Sequence, residues 1–171
     1  MTCVVGLSHK GKLYLGADCL GSTSHGDKLR RIDKKVFRNN DILIGISGSF
    51  RVRDLLMYAD IPKIEYPLDK YMRTTFVNFI RQLFEKVDGD FSLIIGIEGK
   101  LYTVYSDYQV EESRFPFMSI GSGCQTALGT LYSLHKMKSK LHPKKKIKLA
   151  LDAAAEFTTT VSAPHVFLES K

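Results

Sequence analysis

The amino-acid sequence predicts an α+β fold in which antiparallel sheets carry helices on their outer faces. Three observations support this. Apolar runs with strand character occur in groups, joined by short turns that contain glycine. Two stretches with helical periodicity follow the first group of strands, and two more follow the second. The chain lacks the regular strand–helix alternation of parallel sheets, so we expect the strands of each group to pair antiparallel.

The first half of the chain is predicted to contain four strands and then two helices. A glycine-containing turn at 10–12 joins the first two strands into a hairpin, and a second turn is predicted at 39–41. Apolar residues at i, i+3, i+4 and i+7 mark the helices, which two prolines in the connector separate. The predicted strands are 4–7, 13–17, 35–37 and 42–46, a polar stretch covers 21–28, and the helices are 52–59 and 71–87.

The second half repeats this order. Strands are predicted at 91–97 and 100–105 around a Glu98-Gly99 turn, with a shorter strand at 115–120. Helices at 124–138 and 144–159 and a final strand at 164–168 complete the chain. No linker, internal repeat or low-complexity tract interrupts this pattern. We therefore expect one domain of residues 1–171, which is long enough to bury a substantial core.

Composition excludes several classes of protein. Hydrophobic residues make up 44% and charged residues 25% of the chain, as in ordinary globular proteins. No apolar run approaches the roughly 20 residues that span a bilayer, and no secretory signal begins the chain. The three cysteines lack CxxC spacing and the five histidines are scattered. We therefore expect a cytoplasmic protein with no membrane segment, no metal site and no cofactor.

The net charge of +7 raises the question of nucleic-acid binding. The densest basic run contains no arginine and no interleaved aromatic residue, which direct readout and base stacking both use. A solvated junction between two helices explains it better, so no nucleic-acid partner is expected, although an acidic protein could be attracted. The run consists of Lys136, Lys138, Lys140, Lys144, Lys145, Lys146 and Lys148.

Thr2 lies directly behind Met1 at the start of the first strand. Removal of Met1 would give the residue both a hydroxyl and a free α-amine. A hydroxyl is a weak nucleophile by itself, and the amine, with a reference pKa of about 7.7–8.0, could accept its proton. The alternative is that Thr2 only begins an edge strand.

Four further features carry polar groups at the ends of predicted strands. Asp18 ends the second strand, and Lys34-Lys35 precedes the third. The turns 47–49 and 121–123 each lead from a strand into a helix, where backbone N–H groups can bind an oxyanion. Each feature also has an ordinary explanation: a strand-end carboxylate, a surface lysine, or a helix N-cap. The second turn lacks both nucleotide-binding glycine patterns.

In this order and spacing, these residues resemble the proteasome β-subunit family of N-terminal-nucleophile hydrolases, and among them the HslV-type peptidases. The resemblance covers nearly the whole chain and implies a four-layer αββα sandwich of two antiparallel sheets. It implies that Thr2 is the nucleophile and its α-amine the base. Lys35 would lower the pKa of the hydroxyl or amine, and Asp18 would hold that lysine by an ion pair.

The resemblance also implies the remaining roles. The Gly48 N–H would form the oxyanion hole, and Ser122 would hydrogen-bond near the Thr2 amine. A polypeptide substrate would add as an extended strand between the segment at Ser22 and the segment at Gly48-Ser49.

The sequence also departs from the family pattern. The loop between Asp18 and Lys35 is one residue longer than usual, which keeps Lys34 as a second candidate. Cys3 could be the nucleophile if two residues were removed. Many proteasome β-subunits place an aspartate near the end of the last long helix, whereas residues 158–162 hold no carboxylate and Ser162 is a weak substitute.

The sequence is compatible with three functions. The first is a threonine-type endopeptidase in a ring-forming homo-oligomer, a double ring supplied by an AAA+ unfoldase ATPase. The basic residues Lys28, Arg30 and Arg31 could meet acidic tails of such a partner, or form a solvated face. The second is a catalytically silent subunit that retains Met1. The third is a hydrolase of small amides.

Overall fold

The computed structural model describes residues 2–22, 28–30 and 32–171, and the side chains of residues 22 and 28–30 lie outside the description. The strands are β1 (Val4–His9), β2 (Lys12–Asp18), β3 (Leu20–Ser22), β4 (Lys28–Arg30), β5 (Val36–Asn39), β6 (Ile42–Gly48), β7 (Phe91–Ile97), β8 (Lys100–Tyr105), β9 (Val110–Glu112), β10 (Phe117–Ile120) and β11 (His165–Glu169). The helices are α1 (Phe50–Tyr58), α2 (Leu68–Tyr71), α3 (Val77–Leu83), α4 (Cys124–Lys136) and α5 (Pro143–Phe157). A π-helical turn, Met72–Phe76, joins α2 to α3.

The strands form two larger sheets, as the grouping of strands in the sequence predicts. One sheet has the order β10-β1-β2-β11 and the other has the order β5-β6-β7-β8-β9. All of the strand pairs in both sheets are antiparallel. The short strands β3 and β4 pair separately and directly follow the end of β2.

Two hairpin turns explain how neighbouring strands reverse so tightly. Lys10 and Gly11 have φ values of 50° and 78°, and Glu98 and Gly99 have φ values of 47° and 77°. Positive φ at both central residues defines the type I′ turn, whose twist matches that of paired strands. The predicted hairpins at these two positions are confirmed.

Successive side chains along each strand point to opposite faces of the sheet, and this divides the core into layers. In β6, the side chains of Ile42, Ile44 and Ile46 pack on the helix side with α1 to α3, whereas Leu43 faces the other sheet. At Gly45, a Cβ atom would lie 2.6 Å from Cγ1 of Val4, so a side chain there would push the sheets apart.

The other sheet packs against α4 and α5 in the same way. Val5 and Leu7 of β1 share a core with Ile147 and Leu151 of α5. A Cβ atom at Gly16 would lie 2.4 Å from Cγ2 of Ile147, which shows how closely α5 approaches β2. The molecule is therefore a four-layer αββα sandwich, and the predicted fold class is confirmed.

The clearest differences from the sequence prediction lie in three parts of the chain. The polar stretch 21–28 contains part of β3 and the start of β4, which are too short and too polar to show alternation. The helical segment predicted at 71–87 begins at Leu68, after an N-cap at Pro67, and ends at Leu83. β9 was not predicted because Val110 is followed by two glutamates.

No helix in the described parts of the chain is both long and apolar enough to cross a bilayer.

Candidate active site

The start of β1 and the end of β2 lie side by side, because Val4 pairs with Ala17 in the antiparallel register. The Cys3 amide donates to Asp18 Oδ1 at 2.8 Å, and the Asp18 amide donates to the Cys3 carbonyl at 3.2 Å. The carboxylate of Asp18 is thus held next to the first residues of the chain.

Asp18 and Lys35 form a buried ion pair. Lys35 Nζ lies 3.0 Å from both carboxylate oxygens, and the Leu20 amide donates to Oδ2 at 3.1 Å. Asp18 is 0% and Lys35 1% exposed. Burial lowers the pKa of Lys35 from its ordinary value, and the adjacent Asp18 carboxylate opposes this effect. The pair satisfies the requirement that buried charges be matched and hydrogen-bonded.

The structure distinguishes between the two lysines that the sequence left as alternatives. Lys34 is exposed, and its carbonyl accepts a hydrogen bond from Arg53 Nε at 3.2 Å. Lys35 points inward, and its carbonyl accepts from the Ile46 amide at 2.9 Å. Lys35 is therefore the lysine that meets Asp18, and it lies beside the strand that ends at Gly48.

The turn 47–49 ends β6 in a conformation that favours glycine. Gly48 has a φ of 100°, and a Cβ atom there would lie 2.2 Å from the Asp90 carbonyl oxygen. Ser49 is the N-cap of α1, and its Oγ accepts from the Arg51 amide at 3.3 Å. The ordinary N-cap explanation thus holds for Ser49, while Gly48 is exposed.

The turn 121–123 holds Thr2 directly. A Cβ atom at Gly121, where φ is 92°, would lie 2.2 Å from the Thr2 carbonyl oxygen and 3.1 Å from Ser47 Oγ. The Gly123 amide donates to the Thr2 carbonyl at 3.2 Å. The turn 121–123 therefore contacts Thr2 on one side and approaches Ser47 of the other turn, and Thr2 is itself 3% exposed.

Ser122 lies against the Thr2 nitrogen, which donates to Ser122 Oγ at 3.2 Å. Because Met1 precedes Thr2, this nitrogen is a peptide amide; after removal of Met1 the α-amine would take its place. The N-cap of α4 is Gly123 and no side chain caps this helix, so Ser122 is not used for capping.

One hydroxyl at this site was missed by the sequence reasoning. Thr160 Oγ1 lies 2.8 Å from Ser122 Oγ. Ser162, the residue that the sequence suggested for this region, donates instead to the Ala163 carbonyl at 3.3 Å. The tract 158–162 has four hydroxyl residues with no periodicity, so the sequence carried no signal to select Thr160.

Cys3 faces away from this group of residues. Its side chain is 0% exposed and belongs to the core between β1 and the helices α4 and α5. Burial is the main cause that raises the pKa of the Cys3 thiol to about 12. A neutral, buried thiol is a poor nucleophile, so the structure disfavours the Cys3 alternative.

Some of the predicted site residues lie partly or wholly outside the described residues. Ser22 ends β3, but its side chain is not described, and the same is true of Lys28 and Arg30. Met1 and Arg31 lie outside the described residues. Among the residues that are described, no three His, Cys, Asp or Glu side chains cluster as metal ligands would.

The fold matches known structures over almost its whole length. A structure of Thiobacillus denitrificans BPH in complex with epoxomicin covers 99% of this chain and 98% of its own, with a TM-score of 0.81 and 20% identity. Eukaryotic HslV from Trypanosoma brucei covers 98% of both chains, with a TM-score of 0.77 and 17% identity. The chain has the fold of the proteasome-type N-terminal-nucleophile hydrolases.

A third structure with this hydrolase fold agrees less closely. The Gly-1 mutant of Anbu from Hyphomicrobium sp. strain MC1 covers 98% of this chain and 80% of its own, with a TM-score of 0.68 and 15% identity. No family model and no curated protein sequence matches the chain.

Proposed function

We propose that this protein is a threonine-type endopeptidase in which the Thr2 hydroxyl is the nucleophile and the Thr2 α-amine is the base, once Met1 is removed. One observation carries the proposal: the Thr2 nitrogen is held at 3.2 Å from Ser122 Oγ, next to the buried Asp18–Lys35 pair. We assign this activity to a single domain spanning residues 1–171.

The proposed reaction has two stages. The α-amine takes the proton of the Thr2 hydroxyl, whose oxygen attacks the carbonyl carbon of the scissile peptide bond. The Gly48 N–H donates to the resulting oxyanion, and the proton passes to the departing amine of the substrate. This leaves an ester between the substrate acyl group and Thr2. Water, deprotonated by the same amine, hydrolyses the ester and restores the hydroxyl.

The buried ion pair gives this mechanism a fixed positive charge. An ammonium near the Thr2 hydroxyl favours its deprotonated form, and a low-polarity environment strengthens that effect. Lys35 would supply the charge, and Asp18, which binds both Lys35 and the Cys3 amide, would hold it in position.

The substrate would be a polypeptide bound as an extended strand. We assign its binding to the segment ending at Ser22 on one side and to Gly48 and Ser49 on the other, with main-chain hydrogen bonds to each. By similarity to HslV, we propose a cytoplasmic double ring of identical subunits that receives substrates from an AAA+ unfoldase ATPase. No cofactor or metal takes part in the proposed chemistry.

A second candidate is a catalytically silent subunit of the same fold. It would apply if Met1 stayed attached, because the Thr2 nitrogen would then be a peptide amide, which cannot act as the base. Intact-mass spectrometry of the protein purified from cells separates the two candidates. Complete retention of Met1 would favour the silent subunit.

Substitution of the nucleophile tests the enzymatic function. Hydrolysis of a panel of fluorogenic peptides should fall by at least about 10³-fold in Thr2→Ala, and Thr2→Ser should keep part of the activity because it retains the hydroxyl. Epoxomicin, with which the Thiobacillus protein forms a complex, should bind the Met-free protein and not Thr2→Ala. Equal hydrolysis by the Met-free protein and Thr2→Ala would exclude the proposed function.

A further inference from the structure

The hydroxyl of Ser122 has three polar neighbours. The Thr2 nitrogen lies 3.2 Å away, the Thr2 carbonyl oxygen 3.3 Å and the Thr160 hydroxyl 2.8 Å. The contact with Thr160 is the shortest of the three, although Thr160 is 38 residues distant in the sequence.

Ser122 has only one hydroxyl proton, so it can donate only one of these hydrogen bonds. A serine hydroxyl donates one proton and accepts through two lone pairs. Because Ser122 Oγ accepts from the Thr2 nitrogen, its own proton is directed to the Thr2 carbonyl or to Thr160 Oγ1. The distance of 2.8 Å is ideal for a hydroxyl pair, whereas 3.3 Å is long.

The position of Thr160 is built into the fold. The Val161 amide donates to the Thr158 carbonyl at 3.1 Å and closes a turn around Thr160. Val161 is 2% exposed, and its Cγ2 atom lies 2.9 Å from where a Cβ of Gly123 would be. Packing of Val161 under the turn that contains Ser122 therefore fixes the neighbouring threonine beside Ser122.

We propose that Thr160 is a positioning residue that accepts a hydrogen bond from the Ser122 hydroxyl and so keeps a lone pair of Ser122 Oγ directed at the Thr2 nitrogen. In the Met-free protein this arrangement would bind one N–H of the α-amine. The lone pair of the amine would then remain free for the Thr2 hydroxyl. This inference rests on the proposed function of the Thr2 amine as the base.

The hydrogen-bonded pair of Ser122 and Thr160 adds no charge next to the amine. Among the described residues, Asp18 and Lys35, which pair with each other, are the charged groups that act on Cys3, the residue next to Thr2; the titratable thiol of Cys124 also acts on Cys3, and the Cys3 thiol is neutral. Ser122 and Thr160 are uncharged hydroxyls. A carboxylate at residue 160, roughly 6 Å from the amine, would raise the pKa of the amine by about 0.5 to 2 units, depending on the local dielectric.

The direct test is a titration of the α-amine in Met-free protein labelled with ¹⁵N-threonine, followed by NMR. Thr160→Val should lower the pKa of the amine, because the Ser122 proton can then turn towards the lone pair of the nitrogen. Thr160→Asp should raise it by at least about 0.5 units more than Thr159→Asp, the same charge on the exposed neighbouring residue. Equal shifts in the two aspartate variants, or an unchanged pKa in Thr160→Val, would overturn the proposal.

Kinetics provide a second readout. Thr160→Val should lower kcat for peptide hydrolysis by about 10-fold with KM within about 2-fold, and Thr160→Ser should restore kcat. Thr159→Val is the matched control and should behave as the unsubstituted protein. A kcat loss that Thr160→Ser fails to rescue would also overturn the proposal. Because the titration needs no activity, an inactive protein with the expected shifts would reject the proposed function while supporting the role of Thr160.

Discussion

The two strand-to-helix turns, 47–49 and 121–123, have nearly the same local structure but use their serines differently. Each contains a glycine with positive φ, 100° at Gly48 and 92° at Gly121. At both glycines a Cβ atom would lie 2.2 Å from a backbone oxygen. Ser49 caps the following helix, whereas Ser122 contacts Thr2 and Thr160.

The difference between the turns comes from the position of the serine relative to the helix. Ser49 occupies the N-cap of α1, so its oxygen satisfies a helix amide. In the second turn Gly123 is the N-cap of α4, and its amide donates to the Thr2 carbonyl. Ser122, one residue earlier, is left available for another partner. A shift of one residue thus separates a structural serine from a candidate catalytic one.

The Asp18–Lys35 pair is buried, and breaking it should have the largest effect on stability. Lys35→Met leaves the Asp18 carboxylate buried and unpaired, which we expect to cost about 3–5 kcal/mol in the free energy of unfolding measured with urea. Lys34→Met, at an exposed neighbour, should change it by less than about 0.5 kcal/mol. Similar losses in both variants would contradict the assignment of Lys35 as the buried partner.

The glycines of the two turns should be the next most sensitive positions. Gly48→Ala and Gly121→Ala each place a Cβ atom at an unfavourable φ and against a backbone oxygen. Each substitution should lower the free energy of unfolding by about 2–4 kcal/mol. Gly89 also has a positive φ, 90°, but open space around its Cβ position. Gly89→Ala should therefore lose only about 1 kcal/mol in the same denaturation experiment. Equal losses at all three glycines would show that the collisions can be relieved.

Substitution of Ser49 should affect mainly stability, and substitution of Ser122 should affect mainly activity. Ser49→Ala removes the α1 cap and should lower the free energy of unfolding by about 1 kcal/mol. Ser122→Ala should change stability by less than about 0.5 kcal/mol but lower kcat for peptide hydrolysis by about 10- to 100-fold. The two turns would have equivalent roles if both serines affected stability and kcat alike.

The smallest effect is expected at Cys3, which packs beneath the second turn. Because burial raises the pKa of its thiol to about 12, Cys3 stays protonated across the neutral range. Iodoacetamide should leave Cys3 unmodified between about pH 7 and pH 9 in the folded protein and react with it after unfolding. Peptide mapping by mass spectrometry provides the measurement. Cys19 and Cys124, which are partly exposed, serve as internal controls.

The fold could be predicted from the sequence because most of its strands, turns and helices have a local sequence pattern. The glycine turns at 10–11 and 98–99 and the apolar periodicity of the helices each specify an element without reference to the rest of the chain. β3, β4 and β9 were missed because three-residue strands are stabilised by their partners rather than by their own pattern. The π-helical turn at 72–76 likewise has no sequence signature.

The candidate site was predicted less completely. Asp18, Gly48 and Ser122 could be selected because each ends or follows a recognisable strand. The choice of Lys35 over Lys34 depends on which side chain turns inward, and adjacent lysines look alike in sequence. Thr160 could not be selected because its contact with Ser122 depends on the packing of Val161 against Gly123.

We propose that the free α-amine of Thr2 makes this protein a peptidase. Two forms that differ only in Met1 test it most directly: one released from a cleavable fusion so that Thr2 is the first residue, and one that keeps Met1. Peptide hydrolysis should be at least about 10³-fold faster in the form that begins at Thr2, because an amide nitrogen cannot accept the hydroxyl proton. Equal rates in the two forms, or no hydrolysis by either, would contradict the account.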